Sequence, residues 1–138
     1  GGGAGLMASF LSEDWIADFA EGAALLPERP GLDGVVRFAV SKTPHGKVQF
    51  RLIVADGRVV DVLPGRDGDQ DATVTWAYPD AVAQFRGELD PDEAFMAGRC
   101  KVEGDYARYV FGLRPVFGSP EWSELLAGLA DRSTFDGA

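Results

Sequence analysis

One cysteine and one histidine are the only thiol and imidazole groups in this chain of 138 residues. Cys100 and His45 cannot make a disulfide framework, and they fall short of the four donors of a usual zinc site. Basic residues are also scarce, with 13 Lys and Arg against 22 Asp and Glu and a net charge of −9. Without a local basic cluster, that balance repels nucleic acid and anionic membrane surfaces. No apolar run approaches the ~18–20 residues that span a bilayer, so no stable membrane insertion is expected. The glycine-rich dinucleotide fingerprint, the P-loop and the G-x-S-x-G elbow are missing, which removes the usual signatures of three chemistries. A lone thiol and the absence of a targeting pattern point to a reducing cytoplasm.

The isolated candidates read as structural. His45 lies in the polar turn Thr43-Pro44-His45-Gly46, with no acid or nucleophile beside it in sequence. Cys100 has the inward parity of a strand, where a thiol behaves as a small hydrophobe. Asp67, Asp69 and Asp71 are spaced like the start of a calcium loop. Ala72 then stands where the loop needs glycine and Tyr78 where it needs a bidentate glutamate, so a solvated turn is expected. No catalytic set, cofactor or metal site emerges.

What the chain has is apolar: 46% hydrophobic and 11% aromatic residues, enough for one core at this length. Residues 1–6, beginning GGGAG, read as a cloning-derived tail, leaving 7–138 as a single domain. Helical spacing predicts a first helix within 11–26, with Ser12 as its cap and Trp15, Ile16, Phe19 and Ala23 on one side. Alternation predicts strands over 36–41, 48–54, 58–63, 72–78 and 99–104. Further helices are expected over 79–86, 91–97 and 106–113, and a last one starts behind the cap Ser119 with Pro120. Strands mostly precede helices, which predicts an α+β fold with a mainly antiparallel five-stranded sheet covered on one face by helices.

Residues 87–105, GELDPDEAFMAGRCKVEGD, are the densest stretch of signals. Asp90 suits the N-cap and Pro91 the first helical position, Gly98 ends the helix, and the next residues alternate as a half-buried strand. This unit is expected to hold Phe95 and Met96 beside a sheet face, enclosing something apolar. Tyr106, Ala107, Tyr109, Val110, Phe111 and Leu113 then surround most of a helix, followed by Val116, Phe117 and Trp122. Such a helix belongs in the core or in the wall of a ligand cavity.

The segments DATVT (71–75), GELDP (87–91), AFMAGR (94–99) and KVEGD (101–105), in that order and spacing, resemble the sterol carrier protein 2 family of lipid-binding domains. The resemblance covers roughly residues 32–117. It implies five strands under helices, with an apolar cavity between them for a fatty acid, fatty acyl-CoA, sterol or related lipid. The implied role is non-enzymatic binding or transfer. After Asp105 the aromatic run Tyr106–Phe111 replaces the small, aliphatic helix common in the family. Candidate ligand contacts are Phe85, Phe95, Met96, Tyr106, Tyr109, Val110, Leu113, Trp122 and Leu125, with Arg86 or Arg108 as rim anchors. An empty, dry cavity of ~300 Å³ would cost about 7 kcal/mol at ~24 cal/mol per Å³, so the cavity should be filled, wetted or collapsed. The alternative is a regulatory or accessory module whose apolar C-terminal surface, with Trp122, meets a protein partner or pairs as a homodimer. The least favoured reading is a small cavity enzyme acting on an apolar substrate with a carboxylate base.

Overall fold

A computed structural model describes residues 7–137; the expected tail, 1–6, lies outside them. In chain order the elements are β1 (Ala8–Ser9), α1 (Glu13–Ala23), β2 (Gly34–Thr43), β3 (Gly46–Ala55), β4 (Arg58–Pro64), β5 (Ala72–Ala77), α2 (Tyr78–Phe85), α3 (Pro91–Met96), β6 (Lys101–Gly104), a π-helical turn (Arg108–Gly112), α4 (Arg114–Phe117), α5 (Pro120–Asp131) and β7 (Ser133–Thr134).

The five predicted strands form one sheet of order β4-β3-β2-β5-β6, in which β2 and β5 are parallel and the other pairs antiparallel. Asp56 and Gly57 join β3 to β4 with φ of 50° and 82°, the mirror-image turn that matches strand twist. The register puts Phe50, Phe38, Val74 and Val102 side by side on one face. Leu52, Val36 and Ala72 form the next row of that face.

The helices settle on this apolar face. Ser12 Oγ accepts the Trp15 N–H at 3.2 Å to start α1, and Trp15 and Phe19 bring their rings to 6.2 and 6.1 Å from Phe50. Phe85 from α2 and Phe117 from α4 stand 6.2 and 6.0 Å from Phe38. Trp122, on the α5 turn capped by Ser119, meets Phe117 edge-on at 4.9 Å. Edge-to-face rings of this kind add roughly 0.5–1.5 kcal/mol per pair beyond their burial. They fill much of the space between sheet and helices.

The other face is closed by a loop. β4 lies at one edge with two strands between it and β5, so residues 65–71 must cross β3 and β2. Arg37 and Arg51, paired across β2 and β3, hold them. The Arg37 guanidinium, buried at 5% exposure, donates to the carbonyls of Gly65 and Gly68 at 3.2 and 2.9 Å and to Gln70 Oε1 at 3.1 Å. Arg51 donates to the Asp69 carbonyl at 3.0 Å. The aspartates expected to form a solvated turn are exposed, but their backbone is a strap.

Three features depart from the expected pattern. β1 and β7 pair in parallel and tie the two ends of the domain, although two residues are too few to show a period. α4 forms around Pro115, at a helix N-terminus where its missing N–H is harmless. The apolar segment expected as a regular helix widens into a π-helical turn, closed by the Leu113 N–H on the Arg108 carbonyl at 2.6 Å.

The DATVT and KVEGD segments are in contact, which accounts for their joint presence. The Asp105 N–H donates to the Asp71 carbonyl at 2.8 Å, and a Cβ on Gly104, at φ 78°, would sit 2.7 Å from that oxygen. Gly104→Ala should lower stability by roughly 1–3 kcal/mol. Urea unfolding should show an earlier midpoint at unchanged slope.

Candidate functional site

Helix α3 begins where Asp90, in extended conformation, accepts the N–H groups of Asp92 and Glu93 at 3.1 and 3.3 Å. Ala94 is fully buried and anchors the helix, which leaves Phe95 half-buried on one flank and Met96 85% exposed on another. Facing it, the π-helical turn spreads its side chains unevenly. Tyr109 and Leu113 are buried, Val110 is half-buried, and Tyr106 and Phe111 face outward at 53% and 67% exposure.

Between these elements lies a cleft of about 140 Å³, lined by Asp90, Pro91, Asp92, Phe95, Tyr109, Val110, Arg114, Phe117 and Gly118. Phe117 links it to the sheet: its ring is 5.3 Å from Tyr109 and 6.0 Å from Phe38 of the central strand. At the mouth Arg114 pairs with Asp92 at 2.5 Å, joining α4 to α3. The cleft thus sets the side chains of Phe95, Tyr109, Val110 and Phe117 beside the charged groups of Asp90, Asp92 and Arg114. Its volume is below the ~300–1,000 Å³ typical of sites that enclose a drug-sized ligand.

The structure brings three of the expected contact residues together in this cleft, Phe95, Tyr109 and Val110. Phe85, Leu113 and Trp122 belong to the core. Trp122 is 2% exposed, so it cannot head a surface interface as the alternative reading expected; its indole N–H is buried with no partner among the described residues. Met96 and Tyr106 project to the surface, because buried Ala94 and Tyr109 set the inward sides of their segments. Leu125 lines a separate groove with Gly22, Leu25 and Leu26, beside α1. The expected rim arginines are engaged elsewhere. Arg86 lies 5.6 Å from the Phe135 ring centre, and Arg108 donates to Asp105 at 3.2 Å and to the Asp33 carbonyl at 3.0 Å.

Sequence reasoning missed Asp92, Arg114 and Phe117 as cleft residues. Asp92 and Arg114 lie on separate elements and are joined only by packing. Phe117 was visible as part of the apolar surplus, but not as the floor of a recess.

Nothing at the cleft is primed as a nucleophile. Burial, then the neighbouring Cys100 and Asp92, push the Tyr109 phenol well above its ordinary value. Burial and Asp80 push the Cys100 thiol up to about 11. Both are neutral at physiological pH. Among the described residues no group of three or more His, Cys, Asp or Glu could hold a metal ion, and no helix is long and apolar enough to cross a membrane.

Comparison with known proteins adds an independent line. The profile of the SCP-2 sterol transfer family matches residues 16–108. That match ends where the π-helical turn begins, so Tyr109, Val110, Arg114 and Phe117 lie beyond it. Sterol carrier protein 2 of Bos taurus is 31% identical over 74 residues, 54% of this chain and 14% of that protein. The matched region is therefore a small part of that relative. A crystal structure of sterol carrier protein 2 superposes with a TM-score of 0.68 at 15% identity, covering 90% of this chain and 99% of the other. The solution structure of palmitated SCP2L2 from Aedes aegypti gives a TM-score of 0.57 at 21% identity, covering 83% and 94%.

The raised phenol and thiol predict an alkaline weakness. Unfolding releases Cys100 and Tyr109 to ionise near 9.0 and 10.0, whereas the folded chain keeps both protonated to higher pH. Their contribution is full below pH 9 and is lost as pH rises above it. Thermal unfolding midpoints should fall from pH 9 towards pH 11, and the double variant Cys100→Ser, Tyr109→Phe should flatten that fall.

Proposed function

The chain belongs to the SCP-2 sterol transfer family, and from that premise we propose that it binds a hydrophobic ligand at the cleft between α3, the π-helical turn and α4, and passes it on chemically unchanged. One observation carries this reading: Phe95, Tyr109, Val110 and Phe117 converge on a recess continuous with the sheet's apolar face. The polar groups there already have structural work. Asp90 caps α3, Asp92 holds Arg114, and the phenol and nearby thiol are protonated at neutral pH. These assignments favour a carrier over a cavity enzyme.

Entry of a long chain requires the cleft to widen. The elements best able to give way are α3, with six residues, and the five-residue π-helical turn, since neither has the length that makes a helix independently stable. Desolvation supplies the affinity at roughly 0.8 kcal/mol per buried methylene, offset by the cost of ordering the chain and of moving the walls. The small volume corresponds to the collapsed form of a site that would be costly to keep empty and dry. A palmitated protein of the same fold makes a saturated fatty chain the first ligand to try.

Native mass spectrometry of gently purified protein should detect a co-purifying lipid, and delipidated protein should take up a fluorescent fatty acid or sterol. Bare protein with no uptake of either would sink the carrier reading. Val110→Trp, which fills the recess from the half-buried wall, should reduce uptake at least tenfold while leaving the thermal midpoint within a few degrees.

A further inference from the structure

The mouth of the cleft is chemically asymmetric. Its charged lining residues are Asp90 and Asp92 on one wall and Arg114 on the other, two carboxylates against one guanidinium. Arg114 is the cation best placed to attract an anionic head group, but the Asp92 carboxylate is already 2.5 Å from it. Asp90 occupies the amides of Asp92 and Glu93, so those N–H groups are not open to a ligand anion either. Glu93 adds a third carboxylate to the same helical turn. The influence of Asp92 reaches the floor of the recess, where it helps to keep the Tyr109 phenol protonated.

Resting on the lipid-binding reading, we propose that the first turn of α3 acts as an anion filter: Asp92, by neutralising Arg114 beside the capping Asp90, selects apolar ligands with uncharged heads over those ending in carboxylate or phosphate. Asp92 is then a specificity-determining residue. A carboxylate head at this mouth must displace Asp92 from Arg114 or sit beside two like charges, and each option weakens binding. A hydroxyl head faces neither penalty. It can donate to a carboxylate while its chain occupies the recess.

The test uses two probes of equal chain length, decanol and decanoate, at pH 8, with isothermal titration of the delipidated full chain. Decanol should bind at least tenfold more tightly, a difference of about 1.4 kcal/mol. The decisive arm is Asp92→Asn, which removes one charge and frees Arg114. The ratio of decanoate to decanol affinity should then shift at least tenfold towards decanoate. Asp90→Ser, which retains a capping oxygen, should tighten decanoate by a smaller factor with its thermal midpoint preserved. Equal binding of the two probes by the unaltered chain, or an unchanged ratio in Asp92→Asn, overturns the filter. Failure of both probes to bind, together with no uptake of long-chain lipid, overturns the carrier reading beneath it.

Discussion

The fold depends on a buried guanidinium, that of Arg37, without a carboxylate partner among the described residues. Arg37 lies on the central strand of the sheet, opposite Arg51 on the neighbouring strand, a like-charge pairing that would by itself weaken the sheet. Its protons are directed at carbonyls of the strap 65–71 and at Gln70. Leaving such a charge buried and unpaired would cost several kcal/mol, so strap and arginine must be ordered together. The strap carries the chain from β4 to β5, and this makes β5 parallel to β2 in an otherwise antiparallel sheet. β6, α3 and the cleft all follow from that crossing.

The opposite face obeys a different constraint. Alternating Val, Phe and Leu side chains form a flat apolar surface, and Trp15, Phe19, Phe85, Phe117 and Trp122 bring their rings down on it or on one another. Trp15 and Phe19 stack, most of the other pairs meet edge to face, and together they leave little room at the centre of the layer. The cleft lies instead beside α3, which is short, and the π-helical turn that follows β6. The extra residue in that turn moves Tyr109 and Leu113 inward and turns Phe111 out. The aromatic run after Asp105, whose residues from Tyr109 onward lie beyond the family match, thereby shapes one wall of the cleft.

Much of the architecture was legible from local signals. Ser12, Asp90 and Ser119 cap the helices they were expected to cap, because an oxygen three residues ahead of an amide needs no distant partner. The five strands were readable because period-two alternation is a local record of a half-buried sheet. Phe95, Tyr109 and Val110 could be named as candidates from their apolar setting, but nothing local separated them from Met96 and Tyr106, which face water, or from Phe85 and Trp122, which complete the core. Orientation around a six-residue helix and a π-helical turn depends on which neighbour, here Ala94 or Tyr109, wins the buried position.

Alternation, caps and turn residues, all acting over a few positions, determined the strand and helix content, the α+β class and the family motifs. Tertiary structure decided the rest. The crossing of the strap, the contact of Gly104 with Asp71, the closure of β1 on β7 and the pairing of Asp92 with Arg114 each join residues far apart in the chain. The energies that select them arise only when burial forces those particular groups to satisfy one another.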